Sequence, residues 1–306
     1  MKKLFFTSIF IAAAMASAFS QNIKKTDWEY DGLKGKVKSV TEISYEEIDA
    51  SGKITKGKKR TNVYKYDENG NIIESSCYFY RNLYSQFIYK YDEKGNLIKK
   101  NTYEFDGILH NEFIYKYDDN GNQIQESNYK ANVNLDWRYN YKIIYEYDDT
   151  GNITKAIRYE FNDKLGYVEI YEYKQLKKKI VEINRYQSNG RLASKQVFYY
   201  NNKGILTQEN LYNPDGSLFS EVNYKYDDRE NLIKKIRYKS DGSISSQFSY
   251  KYNDKEHIIE AKIDSFLGNN KYFYEYKYDL QDNWTEKTTT YKKRNFITTR
   301  TIEYYK

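Results

Sequence analysis

The side chains best suited to chemistry at neutral pH are scarce in this chain: two histidines, His110 and His257, and one cysteine, Cys77, among 306 residues. A nucleophile–histidine–carboxylate constellation needs a histidine beside both partners. His110 follows an apparent turn at Asp106-Gly107 and His257 stands at a turn end, so both are expected at the surface. One cysteine and two separated histidines make no metal-ligand cluster. Cys77 is expected to be a small buried hydrophobe. Carboxylates are abundant, and two at the right separation would suffice for glycoside hydrolysis. Most of them, however, occupy recurring turn positions. Asp118, Asn120 and Asn122 imitate the start of a calcium loop, but the later Gly and distal Glu are missing. No cofactor or metal is expected. The remaining chemistry is aromatic: sugars dock their C–H faces on tryptophan and tyrosine. Trp137 and Tyr139, beside a lengthened loop, and Trp284 near the carboxy-terminal end interrupt the chain's pattern and are the candidate ligand-binding residues.

That pattern is a repeat. A Tyr-Lys-Tyr-Asp phrase and its variants place an aromatic residue at Tyr66, Tyr91, Tyr117, Tyr147, Tyr173, Tyr200, Tyr226, Tyr252, Tyr278 and Tyr304, mostly 26 residues apart. A fixed period of this length marks units that are stable only when stacked on neighbours. Tyr224-Lys225-Tyr226 alternates aromatic and charged, the period of a strand with one packed and one wet face. A turn at Asp227 to Glu230, a second strand from Leu232 to Tyr238 and a second turn at Ser240 to Gly242 complete one unit. No stretch has sustained helical periodicity. The expected fold is all-β: an antiparallel meander of about twenty strands. Accumulated twist would give it the form of a long curved or spiralling, solenoid-like ribbon. Lys65, Lys90, Lys116, Glu146, Glu172, Lys225, Lys251 and Lys277 define its wet face.

The turns have a mechanism. Asp67 and Gly70, Asp92 and Gly95, Asp118 and Gly121, and Asp148 and Gly151 open and close four-residue segments. Asp at the first position accepts backbone N–H bonds, and Gly at the fourth takes positive φ. Asn213-Pro214-Asp215-Gly216 has proline at its second position, the strongest such signal. Glu230, Glu256 and Asp282 replace the Gly, which predicts looser hairpins or another geometry there. The four extra residues between Tyr117 and Tyr147 fall near Ala131 to Asp136 and are expected to enlarge one loop. The segment Trp28 to Val40 lacks the phrase and reads as an amino-terminal cap. Ile302 to Tyr305 reads as a last strand with an open edge.

Three segments follow: residues 1–20 an export leader, 21–60 a cap and first hairpin, and 61–306 the repeat array. Lys2 and Lys3, the apolar run Leu4 to Met15 and the small residues Ala16 to Ser20 fit a signal peptide cut near Ser20. No other apolar run is long enough to span a bilayer as a helix. The expected location is periplasmic, cell-surface or secreted. Net charge is +7, or +5 without Lys2 and Lys3, with both signs interleaved. That gives no basic stripe for nucleic acid. Mean hydropathy is −0.96, yet aromatic residues make up 18% of the chain and argue for order. With one cysteine there is no intrachain disulfide, so packing and backbone pairing must hold the fold.

Tyr91-Asp92-Glu93-Lys94-Gly95-Asn96-Leu97 and its counterparts from Tyr64 to Tyr304 resemble the YD repeat of Rhs-type proteins. The likeness fades at Tyr173, where Lys174-Gln175-Leu176-Lys177 replaces the turn. It implies a β-strand repeat fold, and some members of the family are described as carbohydrate-binding. The long members enclose a carboxy-terminal toxin; no such domain is expected after this array. Small exported repeat proteins of Bacteroidota-type bacteria and, more distantly, MORN-like antitoxin repeats are also similar. The leading expectation is a non-catalytic exported module that binds or scaffolds at the cell envelope, with glycan as ligand. A protein–protein interaction module is the second reading, and a glycan-acting hydrolase the third.

Overall fold

The computed structural model describes residues 26–49, 54–56, 60–131, 137–175, 179–292 and 294–306. The leader, and the expected enlarged loop at 132–136, lie outside the described residues, as do residues 176–178 of the degenerate turn. Apart from a four-residue helix and a 3-10 turn at Phe161–Asp163, the regular elements are strands. They fall into two compact units.

The first unit comprises Lys25–Lys142, Lys251–Ala261 and Asn270–Lys306. Its strands are β1 (Val37–Asp49), β2 (Ile54–Lys56), β3 (Arg60–Tyr66), β4 (Ile72–Phe79), β5 (Asn82–Tyr91), β6 (Leu97–Glu104), β7 (Leu109–Tyr117) and β8 (Gln123–Ala131). To these are added most of β19 (Gly268–Tyr278), with β20 (Trp284–Tyr291) and β21 (Arg294–Tyr304). Each strand from β3 to β8 pairs antiparallel with the next, as do β19 to β21. The second unit includes Ile143–Tyr250. It holds the consecutive antiparallel run β10 (Ile153–Glu160), β11 (Lys164–Gln175), β12 (Lys179–Gln187), β13 (Leu192–Tyr200), β14 (Leu206–Tyr212), β15 (Leu218–Tyr226), β16 (Leu232–Lys239) and β17 (Ile244–Tyr252). β9 (Trp137–Tyr147) and β18 (Ile258–Ser265) complete the chain order.

The meander is as expected; its ending is not. β21 hydrogen-bonds to β1 from Val37↔Tyr304 to Glu46↔Phe296, while β1 pairs on its other side with β3. The last strand is therefore bonded to the first, and the sheet closes as a β-barrel does. This corrects the open, spiralling or solenoid-like ribbon, and the open edge at Ile302 to Tyr305. The physical reason is that unpaired N–H and C=O groups at both ends of a ribbon are satisfied at once when the ends meet.

The repeat phrase has a structural meaning beyond packing. The hydroxyls of Tyr91, Tyr117 and Tyr173 donate to the carbonyls of Ile72, Leu97 and Ile153 at 2.9–3.0 Å, each in the preceding repeat. Phenylalanine would leave those carbonyls without this donor, which explains tyrosine at the phrase position. The turns are equally uniform. Asp67 Oδ1 accepts the N–H groups of Asn69 and Asn71, its Oδ2 accepts Asn71 Nδ2, and Gly70 N–H donates to Asp67 O. The same carboxylate–Asn latch closes the turns at Asp92, Asp118, Asp148 and Asp227. At Asp148 burial opposes the charge, but bonds from Thr150 and Asn152 outweigh it and bring the carboxyl down to about 2. Glu230, Glu256 and Asp282, expected to mark looser turns, do not. Their φ values are 68°, 64° and 65°, and each makes the Gly-type N–H bond back to the turn's first carbonyl. The latch and the ladder on both sides hold the left-handed position without a glycine.

The cap contains the short helix α1 (Asp27–Tyr30), whose capping box joins Thr26 and Glu29. Asp27 Oδ2 accepts Ile72 N–H at 2.7 Å, and Trp28 Nε1 donates to Val37 O at 2.8 Å. Tyr66 OH donates to Asp31. Leu33, Val37, Val40 and Tyr66 form one buried cluster, with Trp28 packed on it. In the second unit Ala156, Tyr171, Val181, Ile183, Phe198 and Tyr200 form another. Cys77 is buried and free. All eight wet-face positions named above are exposed. Several make cross-strand ion pairs, such as Lys65–Glu74 at 2.8 Å and Lys277–Glu286 at 2.7 Å.

Candidate functional site: an exposed aromatic strip

The hairpins of the meander turn at two ends, and the ends differ in chemistry. The Asp-Asn latched turns lie at one. At the other, in the first unit, large apolar side chains stand in water: Tyr80 and Tyr84 are each 58% exposed and Phe105 is 73% exposed. Phe79 and Ile108 flank them.

Local backbone geometry puts them there. β4 and β5 end on the pair Phe79↔Asn82, so Tyr80 and Arg81 are the two residues of the hairpin loop. Both have positive φ, 47° and 73°. A two-residue loop of this hand normally takes Asn-Gly or Asp-Gly. Tyr and Arg in the left-handed region are strained, a condition found where function retains it. Next to the loop the register slips: Tyr78 pairs with Leu83 and Cys77 with Ser85. Tyr84 is the residue left over, and such a bulge re-aims its side chain. Its ring meets Phe79 edge-on, with centroids 5.5 Å apart. The Arg60 guanidinium lies 5.9 Å from the Phe79 ring. On the neighbouring hairpin the last pair of β5 and β6 is Ser85↔Glu104, so Tyr84 and Phe105 are the next residues along their strands. Phe105 occupies the tip of a turn closed by the Gly107 N–H to Glu104 O bond of 2.8 Å. Phe79, Tyr84 and Phe105 thus line the end of β4 to β6 as a strip of exposed rings with arginine beside it.

The residues singled out from the sequence stand elsewhere. Trp284 is 8% exposed on β20. The Arg300 guanidinium lies 3.5 Å from the centroid of its ring, Lys287 lies over it at 5.2 Å, and Tyr276 packs edge-on. Arg300 in turn donates to Glu42 at 2.8 Å. Tyr139 on β9 is half-buried and packs edge-on against Tyr129. Trp137 begins β9, and its side chain lies outside the described residues. Trp284 and Tyr139 thus stand on different strands with different ring partners. His257, expected at the surface, is half-buried instead, with Tyr276 and Tyr278 at centroid distances of 5.0 and 5.4 Å. Burial and then the cations Arg300, Lys34, Lys255 and Lys287 lower its pKa. Its Nδ1 is 3.0 Å from the Tyr278 hydroxyl, which also accepts from Asn253. His110 is partly exposed, 3.8 Å from both Glu104 and Asp106. Among the described residues no group of three or more His, Cys, Asp and Glu could hold a metal ion.

No family model and no curated protein matches the chain, so the YD-repeat resemblance rests on the repeated phrase itself. Several solved structures are similar in outline. A porin-like protein from Bacteroides uniformis is 12% identical with a TM-score of 0.37, over 88% of this chain and 99% of that one. A protein of unknown function from Bacteroides fragilis is 18% identical with a TM-score of 0.22, over 48% of this chain and 86% of that one. The TcdB2-TccC3-Cdc42 structure is 12% identical with a TM-score of 0.21; 85% of this chain aligns with only 19% of that chain.

Proposed function

We propose that this protein is a non-catalytic, exported binding module of the cell envelope that takes glycan chains on the exposed strip formed by Phe79, Tyr84 and Phe105. The observation that carries the reading is the strip itself: three rings exposed at the ends of adjacent hairpins, beside a loop whose strained Tyr80-Arg81 pair folding alone does not call for. Ring faces supply C–H stacking, while Arg60, Arg81 and the Tyr hydroxyls supply donors for sugar oxygens. The wet face supports an aqueous setting rather than a membrane-spanning barrel. Lysines at the midplane of a lipid-facing strand cost about 2–4 kcal/mol each, and Lys65, Lys90 and Lys277 are exposed on their strands. Among the described residues no helix is long and apolar enough to cross a membrane. The protein-interaction reading loses one of its routes, since β21 is paired with β1 and offers no free edge for strand addition.

Polysaccharide pull-down and a glycan array test the proposal. The unaltered protein binds at least one envelope polysaccharide, and the double variant Tyr84→Ala, Phe105→Ala binds it at least about tenfold more weakly, a change of about 1.4 kcal/mol. Because both rings are exposed, the variant keeps the melting temperature of the parent. Uniform absence of glycan binding, or binding indifferent to both rings, rejects the reading.

A further inference from the structure

A second feature lies on the packed face of β5 to β8, away from the exposed strip. Lys100 pairs across the sheet with Tyr89 on one side and Phe113 on the other. Its ammonium stands 5.1 Å from the ring of Phe87, 5.7 Å from Tyr89 and 5.6 Å from Phe113. Two strands on, Glu126 pairs with Tyr115 and accepts the Tyr141 hydroxyl at 2.7 Å. Lysine and glutamate are therefore separated by two strand spacings across the sheet and two residues along it, about 12 Å between their backbone positions, with the rings of Phe113 and Tyr115 between them.

The polar heads here are incompletely used. Among the described residues the Lys100 ammonium and the hydroxyls of Tyr89 and Tyr115 have no hydrogen-bond partner, and none of the three is sealed from solvent. Burial lowers the lysine pKa and raises that of Tyr89 to about 12. Burial, and then Glu126, raise that of Tyr115. A half-buried ammonium with three unused donors must find acceptors in water or in a ligand. The arrangement recurs in the second unit, where Lys235 lies between Tyr224 and Phe248 in register. There Tyr224 gives its hydroxyl to Glu209 at 3.1 Å, which closes that copy. The β5–β8 copy is left open.

We propose that the packed face over β5 to β8 is a binding site for a small neutral saccharide, seated on Phe113 and Tyr115 between the Lys100 ammonium and the Glu126 carboxylate. One hydroxyl can accept from the lysine while another on the same sugar donates to the glutamate, so a polyol satisfies both charges without bringing its own. The two tyrosine hydroxyls add neutral partners, and the rings supply the stacking floor. The site stands apart from the exposed strip and does not depend on it.

Calorimetric titration of the full chain with glucose, galactose and cellobiose, and with phenylalanine as a zwitterionic competitor, tests the site. One of the saccharides binds with a Kd of about 1 mM, and Lys100→Met and Glu126→Gln each weaken it at least about tenfold. The Tyr84→Ala, Phe105→Ala variant leaves this binding unchanged. On the unaltered protein the bound saccharide slows acetylation of Lys100 by acetic anhydride, read by mass spectrometry, so the test survives a variant that fails to fold. Saccharide binding indifferent to both substitutions overturns the proposal, as does binding of phenylalanine alone, or failure of every probe to bind or to slow acetylation. Loss of polysaccharide binding at the strip with this site intact would reject the envelope reading and leave this one standing.

Discussion

Gly70→Ala is expected to destabilise the protein by about 3 kcal/mol, and the same change at Gly121 by only about 1 kcal/mol. The two glycines have the same turn position and nearly the same φ, 85° and 84°. A side chain in that region costs roughly the same at both. Their surroundings differ. A Cβ at Gly70 would stand 2.6 Å from Trp28 Cε3 and 2.8 Å from Cδ2, whereas nothing lies within 4 Å of one at Gly121. The indole cannot retreat cheaply, because its Nε1 is bonded to Val37 O and its ring packs on the buried cluster, tilted against Tyr66. Alanine at Gly70 therefore pushes the cap off the first hairpin and exposes the cluster of Leu33, Val37 and Val40. Denaturant titration of the two variants side by side checks the difference, and equal losses would show that the cap does not bear on Gly70.

Arg300→Ala should cost about 3–5 kcal/mol, the range for stripping one partner from a buried ion pair. Arg300 and Glu42 have side chains only 13% and 15% exposed, on β21 and β1, the two strands whose pairing closes the sheet. Removing the guanidinium leaves the Glu42 carboxylate without its partner and uncovers the face of Trp284. The paired change Arg300→Met with Glu42→Gln recovers much of the loss, since no uncompensated charge remains. Thermal and denaturant unfolding of the singles and the double measure this coupling. A loss under about 1 kcal/mol for Arg300→Ala would place the pair among the inconsequential surface contacts.

The elements of this fold were legible because they depend on local rules. Alternation in Tyr224-Lys225-Tyr226 is a strand signal wherever it occurs, and Asp67 followed by Gly70 is a turn signal for reasons contained in four residues. Closure was not legible. Ser44 and Thr298 are 254 residues apart, and nothing in either strand's composition states whether its outer edge meets solvent or another strand. The turns at Glu230, Glu256 and Asp282 escaped for a related reason: propensity speaks for glycine, but latch bonds and flanking ladders override it. Tyr80-Arg81 carries no signal for a positive-φ hairpin loop at all.

The candidate site is built from common residues, so rarity of residue type does not point to it. Tryptophan stood out in a tyrosine-rich repeat, yet Trp284 is covered by Arg300, because a large ring next to a long cation is a good way to fill a sheet face. The exposed rings are ordinary Phe and Tyr. Their signal was position: Phe105 stands directly before Asp106-Gly107, inside a turn, where polar residues are the rule. Apolar residues placed in turns, against that rule, would have identified the strip from the sequence. The Lys100 site offered less. Its lysine looks like any other on a strand until register places it between Tyr89 and Phe113.

Closure of the sheet requires the first and last long strands to meet. Ser44 Oγ and Thr298 Oγ1 lie 3.1 Å apart across that junction, so Ser44→Cys with Thr298→Cys places two thiols at disulfide distance. The double variant is predicted to form an intramolecular disulfide between the two substituted positions under mild oxidation, with unaltered secondary structure and a raised melting temperature. Thiols that stay reduced, or that link only between separate molecules, would contradict the closed sheet.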